Sequence, residues 1–133
     1  MKEKSCGALV FNKDGNVLII HSVMGHYDIP KGHVESDETD FQTAIREIKE
    51  ETGVDVKINE NVKPYKVTYT MKNGITKDVC YYLADALSGN IKAQEEEVSS
   101  AKFISLKDAL NILTFDNTKN TVKYFADELG LKI

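Results

Sequence analysis

The segment from about Glu38 to Thr52 constrains the fold of this chain more than any other, because its apolar residues follow the period of a helix. They recur three and four residues apart, which places them on one side of that helix. Gly53 is typical of a residue that ends a helix, and Ser36 or Asp37 is expected to cap its start. The helix is predicted to dock on the rest of the protein through Phe41, Ala44, Ile45 and Ile48.

Three glutamates form a second pattern on the same helix, about a quarter-turn from the apolar residues. Glu47, Glu50 and Glu51 are spaced i, i+3, i+4, so their carboxylates stack on one face, where like charges repel. No Lys or Arg follows Glu47 or Glu50 at the i+4 position, which Glu51 and Val54 occupy instead. The spacing therefore favours a bound metal cation over an ordinary charged helix surface.

Strand-like segments lie on both sides of this helix, and two further helices follow them. The Asn73-Gly74 pair is a strong hairpin signal between apolar runs, and the polar stretch from Gly32 to Asp37 predicts a loop. The order of elements predicts a single α/β domain over residues 1–133, with a mixed sheet and helices on its faces. Strands are predicted at 5–11, 17–20, 54–58, 62–71, 75–84 and 101–104, and the later helices from Leu106 to about Leu113, capped by Ser105, and from about Asn117 to Leu129.

Composition and charge exclude several functions. With 133 residues, 41% hydrophobic and 29% charged, the chain fits one globular domain. The net charge of −4 leaves no broad basic field for gripping nucleic acid. No apolar run approaches the roughly 18 residues of a membrane span. Cys6 and Cys80 lack CxxC neighbours, so we expect two reduced, buried thiols in a cytoplasmic protein rather than a zinc site.

The central segment carries a longer pattern with fixed spacing, Gly32-x5-Glu38-x7-Arg46-Glu47-Ile48-x-Glu50-Glu51-x-Gly53-Val54. This pattern resembles the Nudix box at every constrained position. The resemblance implies an αβα sandwich that hydrolyses a nucleoside diphosphate linked to another moiety, with Mg²⁺ or Mn²⁺ as cofactor. The residue chemistry agrees, because divalent cations on carboxylates neutralise phosphate charge and activate water.

The resemblance also implies roles for individual residues. Glu47, Glu50 and Glu51 are the implied metal ligands, and Gly32 offers its backbone carbonyl to the metal. Glu47 is in addition a candidate general base, because Arg46 beside it can fix its rotamer by a two-point contact.

A further catalytic and metal-binding carboxylate is implied outside the helix. In this family it usually stands six residues before an aromatic residue that opens a late strand. Phe103 occupies that aromatic position, and counting back six residues gives Glu97, with Glu95 and Glu96 as neighbouring candidates. Glu38 is expected to stabilise the junction between loop and helix rather than to bind metal.

Residues around the box reduce the range of candidate substrates. The run Pro30–Glu35 and the opening Ser5–Ala8 resemble the asymmetrical dinucleoside tetraphosphate hydrolases, which cut diadenosine tetraphosphate to ATP and AMP. This likeness implies that Lys31 contacts phosphate and that His33 adds a second polar group at the same loop.

Hydrolases of that group hold adenine by stacking on tyrosines. Tyr81 and Tyr82 alternate along one predicted strand, so one of them can face the cleft. Alternation alone does not choose between them. Because Val79, Tyr81 and Leu83 form the more apolar face, we expect Tyr82 to bind the substrate.

Two other functions stay open. A Nudix hydrolase of modified nucleoside triphosphates, or of 5′-triphosphate or capped RNA, would use the same carboxylates, although the acidic net charge counts against long RNA. A Nudix-fold sensor that binds a nucleotide without cutting it would not need a cluster of repelling carboxylates. A small-molecule nucleotide is the expected partner, and neither a membrane nor a protein partner is implied.

Overall fold

The computed structural model describes residues 2–35, 37–94 and 96–132. Ser36, expected as a cap, and Glu95, a neighbouring carboxylate candidate, therefore lie outside the described residues. None of the helices found in these ranges is long and apolar enough to cross a membrane. The elements are β1 (Lys2–Phe11), β2 (Val17–Ser22), β3 (Tyr27–Asp28), β4 (Lys31–His33), α1 (Asp40–Thr52), β5 (Val56–Ile58), β6 (Tyr65–Thr70), β7 (Thr76–Ala86), β8 (Val98–Ile104), α2 (Leu106–Ile112) and α3 (Asp116–Glu128).

All described strands belong to one mixed sheet centred on β1 and β7, which run parallel to each other. β1 also pairs antiparallel with β2 and β4, and β7 with β5 and β6, while β2 continues to β3 and β8. The antiparallel pairing of β6 with β7 confirms the hairpin predicted at Asn73-Gly74, where Gly74 has a φ of 85°.

Both faces of the sheet are covered. Along β1, Ala8 and Val10 point into the core beneath α1, whereas Leu9 points into the core beneath α2 and α3. Val122 and Phe125 of α3 are fully buried in that second core. The predicted αβα sandwich, a mixed sheet with helices on both faces, is thereby confirmed.

The start of α1 differs from the prediction. Thr39 is its N-cap: the Thr39 hydroxyl accepts from the Gln42 N–H at 3.2 Å, and the Gln42 side chain accepts from the Thr39 N–H at 3.0 Å. The expectation that Asp37 caps the helix is therefore wrong. The end of the helix is as predicted, with Gly53 in the left-handed region at a φ of 77°.

The buried face of α1 is rotated toward the carboxylates. Ala44 and Ile48 are buried and Phe41 packs against the same core, as predicted, but Ile45 is 38% exposed. Glu51 is only 6% exposed and takes the inward position instead. The prediction that Ile45 docks the helix is wrong, because the helix turns Glu51 rather than Ile45 toward the sheet.

The predicted loop from Gly32 to Asp37 contains part of a short strand. Residues Lys31–His33 form β4, which pairs antiparallel with Ser5–Gly7 of β1. Gly7 permits a close approach, since a Cβ at that position would lie 2.2 Å from the carbonyl oxygen of Pro30. The prediction of an irregular loop is thus wrong at its first residues, and the pairing ties them to the centre of the sheet.

Cys6 and Cys80 are direct partners in the parallel register of β1 and β7. Both thiols are buried and free, as predicted. Burial raises the pKa of Cys6 to about 12, so this thiol stays protonated at neutral pH. The pair acts as small apolar packing within the core beneath α1.

Candidate active site

Gly32 and Glu47 bring β4 and α1 together. A Cβ on Gly32 would lie 2.0 Å from Cδ of Glu47 and 2.1 Å from its Oε2. A side chain at this position would displace the carboxylate, so the glycine is required for contact rather than for a turn. The structure thus places the backbone of Gly32 directly against one of the predicted metal ligands.

Glu51 is the most buried carboxylate of the group. Its Oε1 accepts a hydrogen bond from the Lys31 N–H at 3.0 Å, and its residue is 6% exposed. Burial raises the pKa of Glu51 to about 8, and the charge of Glu47 adds to this effect, while Lys31 opposes it. A negative charge on Glu51 is therefore only partly compensated by the protein.

Glu47 and Glu97 belong to the same electrostatic environment. Burial is the main cause of the raised pKa of Glu47, which Arg46 opposes and the charges of Glu50 and Glu97 reinforce. The charge of Glu97 also contributes to the raised pKa of Glu51. Glu97 is exposed and immediately precedes β8. The chain thus brings a carboxylate from a distant loop to the glutamates of α1.

Arg46 connects the carboxylates through different nitrogens. Its Nη1 donates to Glu47 Oε1 at 2.8 Å and to Glu50 Oε2 at 3.1 Å. Its Nη2 donates to Glu38 Oε1 at 2.9 Å and to the carbonyl oxygen of His33 at 3.0 Å, and its Nε also donates to Glu38. No Lys or Arg follows Glu47 or Glu50 at the i+4 position, but Arg46 on their N-terminal side compensates part of the charge of both glutamates.

Glu38 is fully engaged in holding the start of the helix. The Arg46 guanidinium lowers the pKa of Glu38 to about 2, and hydrogen bonds from the Glu35 N–H and the Thr43 hydroxyl act in the same direction. The Thr43 hydroxyl lies 2.9 Å from Oε1 of Glu38. These contacts agree with the expected role at the junction of loop and helix.

The donor set suits a hard divalent cation. Carboxylate oxygens and a glycine carbonyl are ligands of Mg²⁺ and Mn²⁺, and magnesium usually takes few protein ligands together with waters and phosphate oxygens. Among the described residues, no three His, Cys, Asp or Glu side chains are already grouped as a metal cage. Two of the predicted ligands, Glu47 and Glu50, instead accept hydrogen bonds from the Arg46 guanidinium. The chemistry of these residues thus fits a divalent cation with few protein ligands.

A cleft of about 260 Å³ is lined in part by Tyr81, whose pKa is raised mainly by burial, with a smaller contribution from the charge of Glu51. Within it, Lys31 Nζ lies 3.2 Å from Asp28 Oδ2, while the Lys31 backbone holds Glu51. Lys31 therefore links the cleft to the carboxylates. The cleft is lined by Asp28, Lys31, Tyr69, Tyr81, Phe115, Asn117 and Thr118.

The two other predicted substrate-binding residues lie elsewhere. Tyr82 is 8% exposed and packs beneath α1, where its ring meets Phe41 edge-on at 4.8 Å. Tyr81, not Tyr82, lines the cleft. Tyr82 does not line this cleft because it points from β7 into the core beneath α1, whereas Tyr81 points to the opposite face of the sheet. His33 is exposed and contributes its carbonyl oxygen to Arg46.

Comparison with known proteins identifies the family of this site. The NUDIX domain family matches residues 1–125 of the chain. The chain belongs to the Nudix family. This Nudix hydrolase is 26% identical over 137 residues to an asymmetrical bis(5′-nucleosyl)-tetraphosphatase of Mus musculus, with 92% of each chain covered. It is also 31% identical over 114 residues to an ADP-ribose pyrophosphatase of Methanocaldococcus jannaschii, covering 83% of this chain and 66% of that one.

Its fold is similar to that of a solved tetraphosphate hydrolase. The crystal structure of a C. elegans Ap4A hydrolase binary complex superposes with a TM-score of 0.84 at 28% identity, covering 96% of this chain and 98% of that one. Nudix hydrolases generally need divalent metal ions such as Mg²⁺ or Mn²⁺, which agrees with the oxygen-rich donor set.

Sequence reasoning did not find the cleft of this Nudix hydrolase. Tyr69 lies on β6, Tyr81 on β7 and Phe115 at the start of α3, so no short motif joins them. The ion pair of Asp28 with Lys31 was not predicted either, because it depends on the path of the backbone between β3 and β4. The position of Phe115 just before α3 could have indicated a binding residue, but an aromatic side chain there also occurs in ordinary core packing.

Proposed function

We propose that this Nudix hydrolase cleaves a dinucleoside tetraphosphate asymmetrically, with diadenosine tetraphosphate cut to ATP and AMP as the favoured reaction. The observation that carries the proposal is that Lys31 joins the carboxylates of α1 to a cleft that presents its ammonium and several aromatic rings. Glu51 receives the Lys31 N–H at 3.0 Å, and the Lys31 ammonium lies in the cleft. The likeness to a tetraphosphatase over 92% of both chains supports this choice.

The proposal includes Mg²⁺ or Mn²⁺ held by Glu47, Glu50, Glu51 and Glu97, together with the carbonyl oxygen of Gly32. When bound, such a cation neutralises phosphate charge and lowers the pKa of a water molecule. The raised pKa values of Glu47 and Glu51 support the assignment, because a site with uncompensated negative charge favours a cation from solvent.

The remaining steps belong to side chains of the protein. Arg46 holds Glu47 by a bond of 2.8 Å, so this carboxylate has a fixed orientation in which it can accept a proton from the attacking water. Glu47 is therefore our candidate general base. Lys31, whose Nζ lies 3.2 Å from Asp28, is proposed to contact a phosphate of the substrate at the mouth of the cleft.

The aromatic rings of the cleft are proposed to hold a nucleobase. Tyr69, Tyr81 and Phe115 line the cleft, and Phe115 is 42% exposed, so part of its ring is free to stack. Stacking on a ring is worth about 1–3 kcal/mol per base and tolerates different bases. We therefore expect tight binding of the polyphosphate with only modest base preference.

A product assay tests the proposed reaction. The protein is incubated with Mg²⁺ and, separately, with diadenosine tetraphosphate, a panel of nucleoside triphosphates, ADP-ribose and 5′-triphosphate RNA, and products are separated by ion exchange. ATP plus AMP from the first, with little turnover of the others, is the expected result. Preferential release of pyrophosphate from a triphosphate would contradict the proposal.

A pair of variants tests the cleft. Phe115→Ala removes an exposed ring at the start of α3, whereas Leu129→Ala removes an apolar side chain of similar exposure, 40%, at its end. We expect Phe115→Ala to raise KM for the dinucleotide about fivefold to a hundredfold, from the stacking energy. Leu129→Ala should leave KM unchanged. Equal effects of the two variants would argue against base binding in this cleft.

ADP-ribose is the second candidate substrate. The 31% identity to an ADP-ribose pyrophosphatase favours it, and the same carboxylates would serve its cleavage. Faster hydrolysis of ADP-ribose than of the tetraphosphate would select it. A nucleotide sensor is disfavoured, because burying Glu51 without full compensation serves no purpose in a protein that only binds.

We also propose a small-molecule partner and a cytoplasmic setting. A cleft of about 260 Å³ suits a nucleoside rather than a polymer. The net charge of −4 counts against long nucleic acid. Cys6 and Cys80 are free thiols, which agrees with a reducing compartment.

A further inference from the structure

Glu97 differs from the other carboxylates of the site because it is not on α1. It lies at the end of the connection between β7 and β8, and its side chain is exposed. Its position therefore depends on how that connection is held. Two backbone bonds hold the connection to the end of α1: the Lys92 N–H donates to the Thr52 carbonyl at 2.7 Å, and the Gln94 N–H to the Glu51 carbonyl at 3.0 Å.

The other side of Glu97 is tied to the turn between β2 and β3. The carbonyl oxygen of Glu97 accepts from the Val23 N–H at 3.0 Å. That turn is itself closed by the Gly25 N–H donating to the Ser22 carbonyl at 2.9 Å, with Gly25 at a φ of 89°. Glu97 is thus bracketed between the helix that carries the other carboxylates and the end of β2.

A β-bulge lies immediately after Glu97. His21 of β2 pairs with Ser100, but the next residue, Ser22, pairs with Val98, so Ser99 is an extra residue on β8. The Ser99 hydroxyl donates to the His21 carbonyl oxygen at 2.9 Å and lies 3.3 Å from Nδ1 of the same histidine. The side chain of the bulged residue therefore supplies a hydrogen bond where the regular ladder is interrupted.

The bulge determines which way the start of β8 faces. Because side chains alternate along a strand, one extra residue reverses the facing of all those before it. Val98, just before the bulge, is 1% exposed, and its neighbour Glu97 is exposed and within electrostatic reach of Glu47 and Glu51. Loss of the bulge would shift the pairing of Val98 with Ser22 and, with it, the adjoining turn residue Glu97.

We infer that Ser99 is a positioning residue for Glu97: its hydroxyl stabilises the bulge that directs this carboxylate to the metal site. The inference rests on the proposed function, in which Glu97 is a metal ligand. Ser99 is exposed and its contacts are hydrogen bonds to one residue, His21, so its removal leaves the core unaltered. Its effect should therefore appear in metal binding rather than in the fold.

Titration of the protein with Mn²⁺, followed by the electron paramagnetic resonance signal of free Mn²⁺, tests this inference without substrate. We expect Ser99→Ala to weaken Mn²⁺ binding about 2- to 10-fold, the effect of losing one hydrogen bond. Ser99→Thr, which keeps the hydroxyl, should bind as the wild type does. Ser100→Ala, on the other side of the bulge, is the matched control and should also bind normally.

A double-mutant cycle with Glu97→Gln decides whether Ser99 acts through Glu97. In the Glu97→Gln background, Ser99→Ala should cause no further loss of Mn²⁺ affinity. In metal-free Ser99→Ala, the Val23 amide should exchange its hydrogen faster, because its acceptor on Glu97 is less firmly held. Fully additive losses in the cycle, or unchanged Mn²⁺ binding in Ser99→Ala or in Glu97→Gln, would overturn the inference.

Glu50→Gln separates this inference from the proposed function. If Glu50→Gln weakens Mn²⁺ binding and Ser99→Ala does not, the site on α1 stands and the positioning role of Ser99 fails. If Glu50→Gln leaves Mn²⁺ binding unchanged, the proposed metal site itself fails, and the role of Ser99 fails with it.

Discussion

The two ends of α1 hold glutamates in opposite electrostatic states. Near its start, Glu38 is paired with Arg46 and hydrogen-bonded by the Glu35 N–H, and its pKa falls to about 2. Near its end, Glu51 is buried against Lys31, and its pKa rises to about 8. The residue just before the N-cap of α1 is therefore a carboxylate whose charge the protein satisfies, whereas Glu51 in the last turn has a charge that it leaves largely unsatisfied.

The difference distinguishes a structural carboxylate from one suited to bind a cation. A satisfied charge stabilises the fold and has little attraction left for a metal. A buried, poorly compensated charge costs stability until a cation arrives, so the metal-free protein is less stable than it could be. Arg46 stands between the two states, because it contacts Glu38 with two nitrogens and Glu47 and Glu50 with the third.

Among substitutions near the two ends of α1, Glu51→Gln should have the largest effect. We expect kcat to fall about 10²–10³-fold, since metal-based stabilisation is worth several kcal/mol. The thermal midpoint of the metal-free protein should stay the same or rise, because a neutral amide removes the cost of either protonating this carboxyl or burying its charge. Glu60→Gln, an exposed change, is the control for both measurements. A large fall in the midpoint for Glu51→Gln would show that its carboxylate is structural after all.

Gly32→Ala should lower activity while leaving the stability of the fold nearly unchanged. The new Cβ would overlap the Glu47 carboxyl at 2.0 Å, and a glutamate side chain can swing away at little cost to the fold. We expect kcat to fall about tenfold or more, since misplacing a catalytic group by about 1 Å can cost 10²-fold, with a nearly unchanged melting curve. Gly89→Ala is the control, since no atom lies within 4 Å of a Cβ there. Unchanged kcat in Gly32→Ala would mean that the orientation of Glu47 is unimportant.

Glu38→Gln should instead lower stability more than activity. It weakens the contacts of Arg46 at the start of α1, so the thermal midpoint should fall by a few degrees while the metal ligands remain. Glu35→Gln is the matched control, because Glu35 is 71% exposed and its Oε1 lies 3.8 Å from Arg46. Differential scanning calorimetry in the presence of a chelator measures both. A stronger effect on kcat than on the midpoint would place Glu38 in the catalytic site.

Glu38 and Glu51 should change the free energy of unfolding in opposite directions as pH rises. Between pH 4.5 and about 8, folded metal-free protein keeps a proton on Glu51 that the unfolded chain has released, so the free energy of unfolding falls as pH rises. The stabilisation from Glu38 is complete above its ordinary pKa of 4.5 and is lost as pH falls toward 2. Urea titrations across pH in a chelator test this, and Glu51→Gln should flatten the upper window. An unchanged slope in that variant would contradict the assignment.

Features set by neighbouring residues were predictable. The helix end at Gly53, the hairpin at Asn73-Gly74 and the Ser105 cap of α2 were all found where their local signals stand. The predicted N-cap of α1 was wrong because Thr39 and Gln42 form a capping box, in which each side chain accepts from the backbone N–H of the other residue. Local signals thus give the kind of element reliably and its first residue less so.

Features that depend on distant contacts were not predictable in the same way. Ile45 and Glu51 exchange their expected burial because the sheet determines how α1 is rotated. Tyr82 lies under Phe41 because both faces of β7 are covered, which alternation along one strand cannot reveal. The contact of Arg46 with Glu47 was expected from their adjacency, whereas its contacts with Glu38 and with the His33 carbonyl oxygen depend on how the chain enters α1.

The sequence alone determined the family and the helix spacing of Glu47, Glu50 and Glu51, because covalent spacing and helix geometry are local properties. Tertiary structure alone decided that Glu51 is buried and that Glu97 approaches it from another loop. Burial and charge separation depend on which surfaces pack together, and those contacts join residues far apart in the chain. That is why the reaction class was predictable from sequence and the arrangement of the cleft was not.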